Sequence, residues 1–220
     1  MTESTDLITA ALGDVPIVLI ARHVAPDDIA ARCEAAWAAG VTAIEVTIES
    51  AAAVPTLEVA VRHAREHGRP MGAGSIRTVD QLETAVALGV DFLVAPGFAP
   101  DVAAAAAARG VPLVPGVATA SEITAAVSAG CTVLKAFPAS LLTPAWIRAQ
   151  LAPFPEVQFI ATGGVTAGNA QEFLDAGAVA VGIGTSVAVE ELTGLADTLA
   201  GRVARRSAPT ETMAQTSPIE

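Results

Sequence analysis

Lys135 is the one lysine of a 220-residue chain whose 12 lysines and arginines are otherwise all arginine. The two side chains are nearly interchangeable on a solvated surface, but only the amine can lose its proton and attack a carbonyl carbon. Lys135 also follows a largely apolar run, residues 131–134. It is therefore a candidate Schiff-base nucleophile. The alternative is that a chain rich in alanine and arginine has kept one lysine by chance.

Glu45 lies in a second apolar run, residues 43–48. A carboxylate in such surroundings is costly to bury without a partner. It could be held by an ion pair with Arg22, or it could act as a general acid–base, and both can be true. Schiff-base chemistry needs an amine that can be neutralised and a group that moves protons. Lys135 and Glu45 together meet that requirement.

Two glycine-rich turns follow successive predicted strands near the end of the chain and could bind an anion. Glycine lets backbone N–H groups approach a phosphate closely, and neighbouring hydroxyl groups add donors. The alternative is that these glycines only make tight turns. Because both turns occur together, we expect a phosphate site there. Its residues are Thr162, Gly163, Gly164, Gly184, Thr185 and Ser186.

The elements that position these residues repeat along the chain. A helical stretch ends in glycine and an apolar, β-branched run follows, which is typical of a parallel sheet covered by helices. This occurs at Gly40, Gly89, Gly130 and Gly177. The predicted strands are residues 15–20, 41–47, 70–74, 90–95, 111–114, 131–137, 157–161 and 178–182. The predicted helices are residues 27–39, 54–67, 79–88, 100–109, 120–129, 143–151, 167–176 and 188–205, with a short one near 4–12. Pro26, Thr78, Thr119 and Thr143-Pro144 mark helix starts.

Eight βα units in about 200 residues predict a single-domain α/β protein, a (β/α)8 TIM barrel over residues 1–206. A doubly wound open sheet is the alternative, and the lack of a GxGxxG turn disfavours it. In a barrel, function lies at the carboxyl ends of the strands, where Lys135, Glu45 and both glycine turns fall. Residues 207–220 are rich in Ser, Thr and Pro and are predicted to be a disordered tail.

The overall composition limits the kinds of molecule that the protein is expected to bind. The net charge is −11 and the pI about 4.6, which argues against nucleic acid and anionic membranes. An anionic metabolite is not excluded, because a local site can oppose the overall charge. Cys33 and Cys131 are interpreted as buried, reduced thiols. With no apolar run of about 18 residues and no signal-like leader, a cytoplasmic protein is expected.

His63 and His67 lie four residues apart on a predicted helix, a spacing that can bind a metal. No third ligand is evident in the sequence. We therefore interpret residues 62–69 as a solvated helix C-terminus, where cations are favourable, and predict no metal. Trp37 and Trp146 are predicted to be packing or subunit-contact residues.

Taken in order, the motifs of the chain resemble those of a known family. They are Gly40-Val41-x-x-Ile44-Glu45-Val46-Thr47, Gly72-Ala73-Gly74-Ser75, Ala95-Pro96-Gly97, Val114-Pro115-Gly116-Val117-Ala118-Thr119, Leu134-Lys135-Ala136-Phe137-Pro138-Ala139, Ala161-Thr162-Gly163-Gly164-Val165 and Val181-Gly182-Ile183-Gly184. This combination is similar to the class I aldolases that cleave 2-keto-3-deoxy-6-phosphogluconate (KDPG) or its galactonate epimer and also act on 4-hydroxy-2-oxoglutarate. The resemblance runs from about Val15 to Arg206.

The resemblance implies a role for each candidate residue. Lys135 would form the imine with a phosphorylated keto acid, or with pyruvate in reverse, and Glu45 would move protons through a water. Arg22, Thr47 and Ser75 would line the keto-acid end, Pro96 and Phe137 would wall the pocket, and Gly163, Gly164, Gly184 and Thr185 would receive the phosphate. No cofactor or metal is implied, because the protonated imine is the electron sink. A homotrimer is implied.

Two positions depart from the family pattern. Members commonly carry arginine where this chain has Glu49, and that arginine meets the pyruvate carboxylate. Glu49 could be protonated, paired with Arg22 or turned out at the strand end, and we expect the last. After Pro138 the chain has Ala139-Ser140, where gluconate-type members have a glutamate and the galactonate type is closer. These changes leave the substrate epimer open more than the reaction class.

The predicted function is a class I aldolase that cleaves a 2-keto-3-deoxy-6-phospho sugar acid to pyruvate and glyceraldehyde 3-phosphate, with 4-hydroxy-2-oxoglutarate as a further substrate. One alternative is a phosphosugar isomerase or epimerase barrel, in which Glu45 is the base and Lys135 an electrostatic contact. The other is a non-catalytic phospho-ligand-binding module or trimeric scaffold, which Glu49 would favour.

Overall fold

The computed structural model describes Ile8 and residues 10–200. Residues 10–12 are helical, in agreement with the predicted N-terminal helix, whose remaining residues apart from Ile8 lie outside the described part. The predicted tail, residues 207–220, also lies outside it.

The chain alternates strands and helices throughout. The strands are β1 (Ile17–Ala21), β2 (Ala43–Thr47), β3 (Gly72–Gly74), β4 (Phe92–Val94), β5 (Leu113–Val114), β6 (Gly116–Val117), β7 (Val133–Ala136), β8 (Gln158–Thr162) and β9 (Ala180–Gly184). The helices are α1 (Pro26–Ala38), α2 (Val54–Glu66), α3 (Val79–Leu88), α4 (Pro100–Arg109), α5 (Ala120–Ser128), α6 (Ala139–Leu151), α7 (Ala170–Asp175) and α8 (Val189–Leu199), with a 3-10 turn at Ala51–Ala53.

The strands form one parallel sheet in the order β5-β4-β3-β2-β1-β9-β8-β7-β6. Its two end segments, β5 and β6, are separated in the chain only by Pro115, so the sheet curls round and meets itself there. The predicted fifth strand, residues 111–114, contains β5 and ends where β5 does. The chain resumes strand pairing as β6 beyond Pro115, which has no N–H to donate to a ladder, so the fifth strand of the barrel consists of two segments. The predicted (β/α)8 barrel is confirmed, with this one strand divided.

Local signals place most helix ends. The Thr119 hydroxyl accepts from the backbone N–H of Glu122, whose carboxylate accepts from the N–H of Thr119, a complete capping box. The four glycines of the repeated motif all have positive φ, from 80° to 113°. The predicted start at Thr143-Pro144 is wrong, because α6 begins at Ala139. The signal marks a break within α6, since Thr143 before proline has φ 67° and ψ 161°.

The barrel interior is filled by apolar side chains from the strands, and the N-terminal residues Ile8, Ala11 and Leu12 pack against its lower part. Strand β3 consists of small residues, Gly72-Ala73-Gly74, because side chains of the adjacent strands fill the space beside it. A Cβ atom at Gly72 would lie 2.2 Å from the ring of Phe92, a length no packed atom pair tolerates. A larger core lies between sheet and helices, where Trp146 contacts Phe159 edge-on at 5.4 Å.

The two thiols differ in burial. Cys33 is buried and free, and burial, followed by the charge of Glu34, raises its pKa to about 12. Cys131 is free but only half-buried, so the expectation of two buried thiols holds for Cys33 alone. Cys131 lies in the short connection between α5 and β7. None of the helices in residues 10–200 has the length and apolar character to cross a membrane.

Candidate active site

A cavity of about 820 Å³ opens at the carboxyl ends of the strands. Its lining includes eleven of the thirteen residues predicted for the site. These are Arg22, Ser75, Pro96, Lys135, Phe137, Thr162, Gly163, Gly164, Gly184, Thr185 and Ser186. The barrel brings them together because parallel strands present their carboxyl ends on one side. The other two, Glu45 and Thr47, lie below and beside the cavity.

Lys135 stands on β7 at the floor of this cavity. Its backbone N–H donates to the carbonyl of Pro115, which fixes the strand beside the division between β5 and β6. The side chain is only 7% exposed, and its Nζ lies 3.7 Å from Glu45 Oε1 and 5.1 Å from the centroid of the Phe137 ring. The amine is thus held between a carboxylate and an aromatic face, with the open cavity above it.

Glu45 reaches Lys135 from β2, on the opposite side of the barrel. Its side chain is 2% exposed, and Oε1 has no hydrogen-bond partner among the described residues. A Cβ atom at position 74 would lie 2.9 Å from this oxygen, so Gly74 is what leaves room for the carboxylate. An acceptor without a donor, 3.7 Å from an amine, can take a proton after a small shift or through one water.

A second, much smaller cavity of about 20 Å³ lies beneath the pair, inside the barrel. Apolar side chains dominate its lining, while Ile20, Lys135 and Thr162 line both cavities. Lys135 and Glu45 therefore stand at a boundary between a dry interior and a cavity open to solvent. Electrostatic interactions are stronger at such a boundary than in bulk water.

Arg22 and Ser75 contact one another on one side of the cavity. The Arg22 Nη2 donates to Ser75 Oγ at 3.3 Å, and Arg22 Nη1 lies 3.8 Å from Glu49 Oε2. Ser75 has φ 62°, an unusual value for a residue other than glycine. Ser75 directly follows strand β3, and its backbone conformation directs the hydroxyl group to Arg22.

Glu49 is paired and not turned out, so the arrangement expected from the sequence is wrong at this position. Its Oε1 lies 3.0 Å from His23 Nε2. Burial would raise the pKa of Glu49, but a backbone hydrogen bond, the Thr47 hydroxyl and the charges of Arg22 and His23 together hold this pKa below its usual value. Thr47 is itself buried, and its hydroxyl oxygen lies 3.4 Å from the carbonyl oxygen of Ala21, an alternative acceptor for its single proton. Thr47 therefore supports Glu49 and does not line the main cavity.

His23 and Arg77 line the cavity and were not among the predicted site residues. Arg77 donates from Nη2 to the backbone carbonyl of Glu49 at 3.1 Å, and forms no ion pair with a carboxylate of residues 10–200. Both residues directly follow strand ends, in the same loops as Arg22 and Ser75. Their place in the loops after two strands could have indicated a site role in the sequence. A histidine and an arginine are equally common in exposed loops that have no such role.

The glycine turns at the ends of β8 and β9 form a further part of the cavity wall, and the β9 turn is next to the Arg22 loop because β9 pairs with β1. Gly163 and Gly164 have φ values of 93° and 77°, which suit glycine. The Gly163 carbonyl accepts from the N–H of Ser140, and the Gly164 carbonyl accepts from the Asn169 amide. With both carbonyls occupied in this way, the turn is held rigidly before α7.

One group of three potential metal ligands comes together within the described residues. It consists of Glu34, His63 and His67 and lies outside this cavity. The cavity itself offers an amine, one carboxylate, two guanidinium groups and glycine turns, and the Glu45 carboxylate lies directly beneath it. Such a set can form an imine, move a proton and bind an anion at each end.

Comparisons with known proteins agree with this chemistry. A family model described as KDPG and KHG aldolase matches residues 8–198. A probable 2-dehydro-3-deoxy-6-phosphogalactonate aldolase of Rhizobium meliloti (strain 1021) is 35% identical over 173 residues, 78% of this chain and 81% of the relative. A 2-dehydro-3-deoxy-phosphogluconate aldolase of Treponema pallidum (strain Nichols) is 34% identical over 161 residues, 73% of this chain and 74% of the relative.

Among solved structures, a KDPG aldolase of Legionella pneumophila, with pyruvate captured as a covalent carbinolamine intermediate, superposes with a TM-score of 0.79. It is 26% identical, and the alignment covers 90% of this chain and 98% of that one. The comparison extends over the whole barrel.

Proposed function

Because the chain belongs to the KDPG and KHG aldolase family, we propose that it cleaves a 2-keto-3-deoxy-6-phospho sugar acid by a class I mechanism. The products are pyruvate and glyceraldehyde 3-phosphate. The observation that carries the proposal is the pair of Lys135 Nζ and Glu45 Oε1, 3.7 Å apart at the floor of the cavity. Both side chains are buried, and each comes from a different strand.

The bond changes follow from this geometry. Lys135 Nζ attacks the C2 carbonyl of the substrate, and loss of water gives a protonated imine. A base removes the proton of the C4 hydroxyl, the C3–C4 bond breaks, and its electrons move into the imine to give an enamine. The aldehyde phosphate leaves, C3 takes up a proton, and hydrolysis returns the amine and pyruvate. Glu45 is the group beside the amine that can carry these protons.

The phosphate end of the substrate is assigned to the glycine turns. Thr162 ends β8 and is followed by Gly163 and Gly164. Gly184 ends β9, the neighbouring strand, and is followed by Thr185 and Ser186. Paired turns at these positions of a barrel commonly bind phosphate through backbone N–H groups. Pro96 and Phe137 form apolar walls of the same cavity.

The carboxylate end is assigned to Arg22, Ser75 and Arg77. Arg77 lies in the loop after β3. Strands β2 and β1 lie between β3 and β9 in the barrel, so Arg77 is separated from the glycine turn at the end of β9. Glu49 already forms ion pairs with Arg22 and His23, whereas Arg77 has no carboxylate partner in residues 10–200. Arg77 is therefore the cation with most capacity left for a substrate carboxylate, and Arg22 supports it.

We expect Arg77→Gln to raise KM by about 10- to 100-fold with a smaller effect on kcat. A hydrogen bond between charged groups contributes about 1.5–3 kcal/mol, and glutamine keeps a donor but loses the charge. Steady-state kinetics measures this change. Arg109→Ala is the matched control, because Arg109 pairs with Glu83 on the outer helices. An unchanged KM in Arg77→Gln would remove Arg77 from the site.

The substrate class is tested by pyruvate release from four compounds. These are KDPG, its galactonate epimer, 4-hydroxy-2-oxoglutarate and the unphosphorylated 2-keto-3-deoxygluconate. We expect cleavage of at least one phosphorylated epimer, with kcat/KM at least about tenfold above that of the unphosphorylated compound, because the turns add charge-assisted hydrogen bonds. Release of pyruvate from none of the four would reject the proposed reaction.

A homotrimer and a cytoplasmic location are part of the same proposal. The trimer is the assembly that the family resemblance implies, and Leu141 on α6, a large apolar residue that is 79% exposed, is a position where a contact between subunits can be looked for. The free thiols Cys33 and Cys131 are consistent with a reducing compartment. Sedimentation of the purified protein tests the assembly.

A further inference from the structure

We propose that Glu34, His63 and His67 bind a divalent transition-metal ion such as Zn²⁺ on the outside of the barrel. Glu34 lies on α1, His63 lies on α2, and His67 directly follows α2. The sequence shows the histidine pair alone, since the packing of α1 against α2 is what adds the carboxylate. The site does not depend on the proposed aldolase reaction, because none of its three residues lines the cavity.

The three ligand atoms converge. One such atom from each residue lies within 4.8 Å of the other two. His63 Nε2 and Glu34 Oε1 are 3.3 Å apart. Two ligands in a tetrahedron of zinc bonds about 2.0–2.1 Å long stand about 3.3–3.4 Å apart, so this pair already has the required spacing.

His63 Nε2 is buried and makes no hydrogen bond within the described residues, although the imidazole side chain is 15% exposed. A buried nitrogen that lies 3.3 Å from a carboxylate oxygen without a hydrogen bond is poorly satisfied, and a cation bound between Nε2 and Glu34 Oε1 would satisfy both. The lone pair of a neutral imidazole and a nearby carboxylate oxygen are both groups that Zn²⁺, Ni²⁺ or Cu²⁺ accept as ligands.

Neighbouring groups also fix the two rings. Trp37 stacks on His63 with centroids 5.5 Å apart and an interplanar angle of 13°. His67 Nδ1 lies 2.8 Å from the carbonyl oxygen of His63. Because a carbonyl can only accept, Nδ1 carries the proton, and Nε2 of His67 keeps its lone pair. A backbone carbonyl on the far nitrogen is the usual support of a metal-binding histidine.

The test uses tag-free protein that has been treated with a chelator and then titrated with Zn²⁺ against a chromophoric chelator. We expect one ion per chain. Loss of an outer partner of a metal site already costs about 10- to 100-fold in affinity, so His67→Ala and Glu34→Gln should each weaken binding at least that much. His23→Ala is the matched control, because His23 is the remaining one of the three histidines and lies in the cavity.

A second measurement locates the ion. Trp37 is 5.5 Å from both imidazole rings, so Ni²⁺ should quench its fluorescence. The quenching should persist in Trp146→Phe and disappear in Trp37→Phe. The absence of saturable binding in the wild type would overturn the site, as would unchanged affinity in His67→Ala or an equal loss in His23→Ala. The aldolase rate of the chelator-treated protein is measured separately, so failure of one proposal leaves the other standing.

Discussion

Replacing Lys135 by arginine is expected to lower kcat/KM for the phosphorylated keto acid by at least about a thousandfold. A guanidinium keeps the positive charge but does not lose its proton at working pH, so it cannot attack a carbonyl. Where a covalent nucleophile has been removed from other enzymes, the loss is on the order of a millionfold in kcat. Steady-state pyruvate release measures the change.

Arginine is larger than lysine, and Lys135 is only 7% exposed, so a second variant separates chemistry from misfolding. Lys135→Met has nearly the volume of lysine and no amine. Both variants should keep the wild-type circular dichroism spectrum and both should be inactive. Retention of more than a tenth of the activity in folded Lys135→Arg would instead indicate that Lys135 acts by charge alone, as in an isomerase or epimerase.

Glu45→Gln is expected to lower kcat by about 10²- to 10⁴-fold, the usual contribution of a positioned general acid–base. Glutamine preserves the size of the side chain, so the space that Gly74 leaves for it stays filled. The measurement is kcat at saturating substrate, because KM also reports on binding. The change should affect proton movement and leave Lys135 able to form an imine.

Glu49→Gln is the matched control for this experiment. Glu49 is an ionised carboxylate in the same cavity, but it pairs with Arg22 and His23 and not with Lys135. Its loss should change kcat much less than the loss of Glu45, and it should free Arg22 for the substrate carboxylate. A fall in kcat of less than tenfold in Glu45→Gln, or an equal fall in both variants, would contradict the assigned role.

The order of strands and helices could be read from the sequence because the signals are local. A glycine with positive φ ends a helix wherever it stands, and the run after Gly40, Gly89, Gly130 or Gly177 is apolar enough to form a buried strand. The end of β5 at Val114 was predicted, but the second segment beyond Pro115, β6, was not. A proline inside an apolar run can stand at a strand end or between two segments, and only the neighbouring strands decide.

The sequence predicted those parts of the site whose positions depend only on which strand carries each residue. Lys135 and Glu45 lie on strands whose carboxyl ends must meet, so their proximity followed from the fold. The pairing of Glu49 did not follow from the fold. It depends on the positions of the Arg22 and His23 side chains in the loop after β1. Glu34 likewise reaches His63 only through the packing of α1 on α2, which no spacing along the chain reveals.

Reductive trapping tests directly whether Lys135 forms an imine. Wild-type protein is incubated with pyruvate, reduced with borohydride and digested, and the peptides are weighed. We expect one 1-carboxyethyl group per chain, located on the Lys135 amine, and none in Lys135→Arg. Because the chain has one lysine, its N-terminus is the only other amine that could react. No adduct in the wild type, or an adduct of equal yield in Lys135→Arg, would contradict the class I mechanism.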